Sequence, residues 1–325
     1  MPKSVSLVLS SGGSRGLAQI GVIHELERHG FNINAVAGSS IGSVIGGLYA
    51  MGKLSEYTDW VCRLTKKDVW NLMDFTITSH GLLKGERVFE KLKTFIPDMN
   101  IEDMKIPFTA IATDILNEKE VLFNRGSYYK AIRASVSIPA VFIPVNHDGS
   151  ILVDGGLLYP VPIEFVKPVE GAVTVVVNLY GDKRRNISEL SETDRGDYKG
   201  LMKTFSKLIS TGDKQSIGYY TLLTTTSSVM IHKLAKVSIE KYKPEIFINI
   251  PFDSADYTKF ILTHFSFRDL WSIPKENLFA LSLKYYPDNF YWNIFRAGII
   301  VIMSGIVFFT RRNISLLKTT KIMGT

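Results

Sequence analysis

The stretch Gly38-Ser39-Ser40-Ile41-Gly42 follows a short apolar run, Asn34 to Ala37, and opens a segment with helical periodicity. A G-x-S-x-G sequence between a strand and a helix is typical of a nucleophile elbow, in which the central serine occupies a sharp, strained turn. The flanking glycines fit this interpretation because a side chain at either place would crowd the turn. The pattern makes Ser40 a candidate nucleophile, although the same five residues also fit an ordinary glycine-rich connection.

A second glycine-rich turn lies near the N-terminus. Val5 to Leu9 is a buried-strand pattern, Ser10-Ser11-Gly12-Gly13-Ser14-Arg15-Gly16 follows, and a helical pattern begins at Leu17. Backbone N–H groups in such a turn, with a helix dipole behind them, form an anion site. The anion would be the oxyanion of an acyl-transfer intermediate or the phosphate of a nucleotide. The chain has no Gly-Lys-Ser/Thr triplet after this turn, and its glycine spacing does not match G-x-G-x-x-G, which disfavours the nucleotide.

A third motif, Asp154-Gly155-Gly156, directly follows the apolar run Ile151 to Val153. Asp-Gly is a common turn dipeptide, but a serine nucleophile also needs a base within hydrogen-bond reach. A carboxylate can be that base if burial raises its pKa and it contacts the hydroxyl directly. The histidines, none of which lies in a pattern that marks it as catalytic, are His24, His29, His80, His147, His232 and His264. Asp154 is therefore the candidate base.

Short apolar runs between helical patterns predict the strands of an α/β protein. The runs are Val5 to Leu9, Asn34 to Ala37, Phe108 to Thr113, Glu120 to Phe123, Ile151 to Val153, Val173 to Asn178 and Ile246 to Ile250. Their alternation with helices favours an α/β sandwich with a mainly parallel central sheet. The three motifs then fall at the C-terminal ends of strands, where open α/β sheets bind their ligands.

In this order, the three motifs resemble those of the patatin-like phospholipases. The match comprises G-G-x-R-G at Gly12 to Gly16, G-x-S-x-G at Gly38 to Gly42 and D-G-G at Asp154 to Gly156. The run Arg133 to Val145 also resembles the family's stretch before its last motif, and the resemblance extends from Val5 to Val177. It implies a three-layer α/β/α sandwich, a Ser-Asp dyad without histidine, a site without metal or cofactor, and hydrolysis of lipid acyl esters.

Carried over residue by residue, the resemblance assigns Ser40 as nucleophile and Asp154 as base. The amides of Gly12, Gly13 and Ser14 would form the oxyanion hole. The residues that support the motifs are Arg15, Gly16, Gly38, Gly42, Gly155 and Gly156. Two positions depart from the family pattern: Ser11 stands where many members have the first of three glycines, and Gln19, expected to make a packing or polar contact, stands where many have a histidine.

Length and composition fit one large domain with a smaller C-terminal part. The chain has 325 residues, 46% of them hydrophobic, which is enough for a large core. We expect a catalytic domain over 1–250 that includes a helical, lid-like region at about 199–242. The apolar stripe of that region would pack on the core or line an acyl groove. An extension over 251–290 and a tail over 291–325 would follow.

The sequence predicts a cytoplasmic location. The N-terminal apolar run is too short, and too soon interrupted by Ser10 and Ser11, for a signal peptide. Cys62 is the only cysteine, so an intramolecular disulfide is impossible and a reduced compartment is expected.

The net charge of +7 is concentrated at the C-terminal end of the chain. Residues 291–325 carry five basic side chains and no acidic one, and Ala297 to Phe309 is almost unbroken in its apolar character. Such a tail fits peripheral attachment to an anionic membrane surface or a buried terminal element. A membrane span is disfavoured by Arg296 within the longer apolar window and by the positive-inside tendency. The rest of the chain has no basic patch interleaved with aromatic residues, so nucleic acid is not an expected partner.

These observations predict a serine-dependent lipid acyl hydrolase of the phospholipase A or lysophospholipase type. Three alternatives stay open: an acyltransferase that uses the same dyad, a non-catalytic lipid-binding protein, and a nucleotide-binding protein that uses the first glycine turn.

Overall fold

The computed structural model describes residues 3–78, 81–181 and 219–251 of the chain. Within these ranges the strands are β1 (Lys3–Leu9), β2 (Phe31–Ser39), β3 (Phe75–Thr78), β4 (Gly81–Leu83), β5 (Phe108–Asp114), β6 (Lys119–Phe123), β7 (Ala140–Phe142), β8 (Val145–His147), β9 (Ser150–Asp154), β10 (Val173–Gly181) and β11 (Ile246–Pro251). The α-helices are α1 (Leu17–Arg28), α2 (Ile41–Ala50), α3 (Leu54–Arg63), α4 (Lys66–Leu72), α5 (Glu86–Lys93), α6 (Tyr128–Ser135) and α7 (Tyr219–Tyr242). Every strand predicted from an apolar run is present, and each is slightly longer than predicted.

The central sheet is mixed, with strand order β11-β10-β1-β2-β5-β9-β8 and β6 also paired to β5. The strands from β11 to β5 are parallel to one another, whereas β6, β9 and β8 form antiparallel pairs. The two-residue turn between β8 and β9 explains why these two strands are antiparallel, since so short a connection cannot join parallel strands. The prediction of a parallel sheet therefore holds where the first two motifs lie, while Asp154 comes from an antiparallel strand.

Strands β2 and β9 share one edge of β5 and meet end to end. Ala110 and Ile111 of β5 pair with both β2 and β6, so β2 and β6 occupy opposite edges. From Ala112 onward β5 pairs with β9 and still with β6, so β9 takes over the edge that β2 leaves. Ser39 is opposite Ile111, and Asp154 is opposite Ala112. The residue after Ser39 and the last residue of β9 therefore reach the same level of the sheet.

Helices cover both faces of this sheet. On one face α2 lies so close that a Cβ on Gly46 would be 2.7 Å from Val36 Cγ1, and Ala134 of α6 packs against Ala112. On the opposite face Ala235 of α7 packs in a cluster with residues of β1 and β10. These three layers form the α/β sandwich that the sequence predicts.

The helix expected within the lid-like region is present as α7. Ala235 is fully buried, and Ile231, Ile239 and Tyr242 pack against the same core cluster. The Ser238 hydroxyl also donates a 2.9 Å hydrogen bond to the carbonyl oxygen of Val161. The C-terminal half of α7 is thus part of the core packing.

Two features complete the described fold. A second sheet, β3-β4-β7, has strands of three or four residues that no sequence pattern predicted.

Among the described residues, no helix combines the length and the apolar composition needed to cross a bilayer. Residues 199–218 of the lid-like region, the extension from residue 252 to 290 and the tail 291–325 lie outside the described residues.

Candidate active site

Ser40 occupies a strained turn between β2 and α2. Its backbone angles are φ 53° and ψ −124°, a left-handed region that non-glycine residues rarely adopt and that costs about 1–3 kcal/mol. The Ser40 N–H donates to Ser135 Oγ at 2.9 Å. Its carbonyl oxygen accepts hydrogen bonds from the Ser43 N–H and hydroxyl at 2.9 and 2.6 Å. Bonds on both sides of the residue hold the turn that the G-x-S-x-G spacing predicts.

The two glycines of this motif have no room for a side chain. A Cβ on Gly38 would lie 2.2 Å from the carbonyl oxygen of Gly42. A Cβ on Gly42 would lie 2.2 Å from the carbonyl oxygen of Leu9. Because both obstacles are backbone atoms, neither can move aside without moving a strand or helix. Both glycines therefore have the crowded surroundings that the sequence predicts.

The Ser40 hydroxyl donates directly to the carboxylate of Asp154. The distance from Ser40 Oγ to Asp154 Oδ2 is 2.5 Å, and both residues are buried. The second carboxylate oxygen, Oδ1, accepts the Gly156 N–H at 2.7 Å, and the Asp154 N–H donates to the Ser137 carbonyl oxygen at 3.0 Å. The serine and aspartate nominated from the sequence are therefore in contact, with no group between them.

Burial makes Asp154 a stronger base than an ordinary aspartate. Only 6% of the residue is exposed. Burial raises the pKa of Asp154 to about 7, and the hydrogen bonds from Ser40 and Gly156 oppose that rise because they favour the ionised form. A carboxylate with a pKa near neutrality can accept a proton from a hydroxyl and return it later at physiological pH.

The glycine turn after β1 lies against both of the other motifs. A Cβ on Gly16 would be 2.1 Å from Ile41 Cγ1, the side chain that follows Ser40. A Cβ on Gly156 would be 2.5 Å from the Ser11 hydroxyl and 2.9 Å from Asp154 Oδ1. The three motifs, far apart in sequence, thus converge at one place.

The turn itself is fixed by bonds that leave two of its amides unused. Gly13 has φ 59°, which glycine adopts without strain, and the Arg15 Nε donates to the Gly12 carbonyl oxygen at 3.1 Å. The Ser11 N–H donates to the carbonyl oxygen of Pro160 at 2.8 Å. In the part of the chain that the structure describes, the N–H groups of Gly12 and Gly13 donate no hydrogen bond to protein. Ser14 follows them in a short 3-10 turn, Gly13–Gly16.

The two departures from the family pattern both make polar contacts here. The Ser11 hydroxyl hydrogen-bonds the Tyr180 hydroxyl at 2.7 Å, which ties the turn to the end of β10. The Gln19 side-chain N–H donates to the Ser10 carbonyl oxygen at 2.8 Å, so the polar contact expected of Gln19 is present.

The described histidines have other surroundings. His29 directly follows α1 and lies 3.6 Å from a Glu25 carboxylate oxygen, and His24 is exposed on α1. The rings of His147 and His232 contact the rings of Phe123 and Tyr180. His80 and His264 lie outside the described residues. Within the described ranges, no group of three or more His, Cys, Asp or Glu side chains could hold a metal ion.

One residue of the site was missed by the sequence reasoning. Ser135, at the end of α6, is the acceptor for the Ser40 N–H, and its own hydroxyl donates to the Ile111 carbonyl oxygen at 2.6 Å. The residue lies in the stretch Arg133 to Val145 that resembles the family, but that resemblance gave it no role. No local pattern marks it, because its partner is 95 residues away in sequence.

The part of the sequence that forms this site matches a known family model. The family model described as patatin-like phospholipase matches residues 7–167. An uncharacterized NTE family protein of Mycobacterium tuberculosis is 42% identical over 179 residues, which cover 55% of this chain and 50% of the relative. A protein named lysophospholipase NTE1, from the yeast Meyerozyma guilliermondii, is 31% identical over 186 residues, which cover 54% of this chain and 13% of the relative.

The chain thus spans about half the length of the mycobacterial relative and a small part of the yeast one. Among solved structures, VipD from Legionella pneumophila aligns with a TM-score of 0.36 and 12% identity, over 85% of this chain and 67% of that one, too slight a likeness to support an inference. The family match includes the glycine turn, the serine elbow and the Asp-Gly-Gly motif that meet in the structure. Over residues 7–167, this chain is similar to the patatin-like phospholipase family.

Proposed function

We propose that this protein is a serine-dependent lipid acyl hydrolase of the phospholipase A or lysophospholipase type. The observation that carries the proposal is the 2.5 Å hydrogen bond from the strained Ser40 hydroxyl to the buried Asp154 carboxylate. The family's description as phospholipases and the name lysophospholipase borne by the yeast relatives support a lipid ester as substrate.

The first half-reaction would form an acyl-enzyme on Ser40. Asp154 takes the hydroxyl proton while Ser40 Oγ attacks the ester carbonyl carbon. The resulting oxyanion is held by the N–H groups of Gly12, Gly13 and Ser14, donors that are each worth about 3 kcal/mol in such sites. When the intermediate collapses, the C–O bond to the alcohol breaks, and the proton on Asp154 passes to the departing oxygen.

The second half-reaction would release the fatty acid. Asp154, ionised again, takes a proton from water as the water oxygen attacks the acyl carbonyl carbon. The same amides hold the second oxyanion. Collapse breaks the bond to Ser40 Oγ, which regains its proton from Asp154. The dyad therefore returns to its starting state without a histidine.

Substitution of the two dyad residues tests this proposal. Ser40→Ala and Asp154→Asn should each reduce turnover of a medium-chain acyl ester by at least about 10³-fold, because acyl transfer needs both nucleophile and base. Asp114→Asn is a matched control, since Asp114 is also a buried carboxylate but binds the turn after β5 and the Ser150 hydroxyl. Near-complete activity in a folded Ser40→Ala or Asp154→Asn protein would refute the assignment. Retained turnover in the Asp114→Asn variant would show that losing a buried carboxylate does not by itself abolish activity.

The same dyad would also serve an acyltransferase, in which an alcohol replaces water. Product analysis distinguishes the two reactions: added glycerol or lysophospholipid should leave free fatty acid as the main product of a hydrolase. An acyltransferase would instead convert the acceptor to a new ester at the expense of the fatty acid.

Membrane contact by the tail completes the proposal. The basic residues of 291–325 would meet anionic head groups while the run 297–309 enters the interface, which would bring the catalytic domain of 1–250 to its substrate. When vesicles that contain an anionic phospholipid are sedimented, the full chain should be found in the pellet. A chain that ends at residue 290 should stay in the supernatant. Equal binding by both chains would exclude the tail as the anchor.

A further inference from the structure

The end of helix α6 contacts both members of the dyad. Ser135, the last residue of α6, has no solvent exposure, and its hydroxyl is the acceptor for the Ser40 N–H at 2.9 Å. Two residues later, the carbonyl oxygen of Ser137 accepts the N–H of Asp154 at 3.0 Å. One turn of backbone thus fixes the positions of both reacting residues.

The Ser135 hydroxyl both accepts and donates a hydrogen bond in this arrangement. It accepts from Ser40 and donates to the carbonyl oxygen of Ile111 at 2.6 Å. Ile111 is the last β5 residue that pairs with β2 before β9 takes its place. The hydroxyl therefore lies where the ends of β2 and β9 meet, and the hydrogen bond that it donates anchors it to β5, which pairs with both strands.

The bond to Ser40 matters because the conformation of Ser40 is unfavourable. Its φ is 53°, and its N–H is buried with the Ser135 hydroxyl as acceptor, in a place where an unpaired N–H is costly. Without an acceptor at this place, the turn can relax toward a conformation with negative φ. Such a rotation would move Ser40 Oγ away from Asp154 Oδ2, the contact on which proton transfer depends.

We propose that Ser135 is a positioning residue that holds Ser40 in its reactive backbone conformation and so keeps the serine hydroxyl on Asp154. This inference rests on the proposed function, since it assigns Ser135 a part in the same reaction. Ser135 touches neither substrate nor reacting atoms, and it acts through the backbone of the nucleophile.

Ser135→Ala, compared with Ser127→Ala, tests the inference. Ser127 caps the opposite end of the same helix, where its hydroxyl accepts the Lys130 N–H and donates to Asp98. Both variants lose a serine hydroxyl bonded to backbone, but only Ser135→Ala should reduce kcat for an acyl ester, by about 10- to 100-fold with KM changed less than about threefold. The acidic limb of its pH profile should also move to higher pH, because the hydrogen bond from Ser40 lowers the pKa of Asp154. A kcat of folded Ser135→Ala within about twofold of that of Ser127→Ala, with the same acidic limb, overturns the inference.

A measurement without turnover separates this inference from the proposed function. Amide hydrogen exchange of the peptide that contains residues 38–42 should be faster in Ser135→Ala than in the unchanged protein or Ser127→Ala. If the unchanged protein hydrolyses no lipid ester, the proposed function fails, while faster exchange in Ser135→Ala still supports the positional role. Unchanged exchange overturns that role whatever the activity. Should Ser135→Ala not fold, Ser135→Cys, which keeps the volume with a weaker acceptor, is judged by the same criteria.

Discussion

The backbone N–H of Gly156 donates a 2.7 Å hydrogen bond to Oδ1 of Asp154, which turns Oδ2 of the same carboxylate toward the Ser40 hydroxyl. The glycine is needed at this place, because a Cβ on it would lie 2.5 Å from the Ser11 hydroxyl. The Asp-Gly-Gly motif is therefore more than a turn signal. It fixes the orientation of a carboxylate whose two oxygens have different partners.

The first prediction concerns the pH dependence of catalysis. Since burial raises the pKa of Asp154 to about 7 and the base must be ionised, kcat/KM for an uncharged ester should rise about tenfold per pH unit below pH 7 and level off above it. Initial rates between pH 5 and pH 9 measure this profile. A plateau that extends down to pH 5 would mean that Asp154 has an ordinary pKa or is not the base.

The second prediction concerns stability. The pKa of Asp154 is raised from 3.8 in the unfolded chain to about 7 in the folded protein, so between these values the folded state keeps a proton that the unfolded state has released. The stabilising contribution of this group is complete below about pH 4 and is lost as the pH rises to about 7. Asp154→Asn stays uncharged, so its free energy of unfolding relative to the unchanged protein should increase over that window by a few kcal/mol, on the order of 1.4 kcal/mol per pKa unit.

Urea denaturation at pH 4.5, 6 and 8 measures this difference. Asp114→Asn is the control whose free energy of unfolding relative to the unchanged protein should stay constant over this range, because hydrogen bonds from Asn117 and Ser150 lower the pKa of Asp114 to about 2. The contribution of Asp114 is present above about pH 4 and is lost as the pH falls toward 2. If the free energies of unfolding of Asp154→Asn and the unchanged protein differ by the same amount from pH 4.5 to 8, the raised pKa of Asp154 is contradicted.

The third prediction concerns the glycines of the elbow. Gly42→Ala places a methyl group 2.2 Å from the carbonyl oxygen of Leu9, so α2 or β1 must shift, and we expect a loss of several kcal/mol in stability together with loss of activity. Gly21→Ala in the middle of α1 is the matched control, since a Cβ there meets no atom within 4 Å. It should stabilise the protein by about 0.5–1 kcal/mol through helix propensity alone. Thermal unfolding and esterase assays of both variants test the pair, and a Gly42→Ala protein as stable and active as Gly21→Ala would be incompatible with this geometry.

Strand positions were predictable from this sequence because their patterns are local. The apolar runs of β1, β2 and β10 stand out, and each is bounded by polar or glycine-rich segments that end a strand. The small sheet β3-β4-β7 could not be predicted in the same way, since its strands have three or four residues and depend on their neighbours. Ala140 at the start of β7 even has φ 66°, a conformation that its residue type does not suggest.

The contact between the motifs was expected from the need of a serine nucleophile for a base and from the family resemblance, and no local pattern specifies it. Ser40 and Asp154 are 114 residues apart, and nothing in the local pattern of either says that they meet. They meet because β9 is antiparallel and replaces β2 along the edge of β5, a relation that depends on the register of three strands. Ser135 was missed for the same reason, as its hydroxyl acts on a backbone group from another element.

The rate of labelling by a fluorophosphonate probe reports on activation of Ser40 by Asp154, because the reaction needs the serine and its base but no particular lipid. We expect a single label on Ser40, located by peptide mass spectrometry, no label on Ser40→Ala, and labelling of folded Asp154→Asn slowed by at least about 100-fold. Labelling at another residue, or an unchanged rate in Asp154→Asn, would contradict a dyad in which Asp154 activates Ser40.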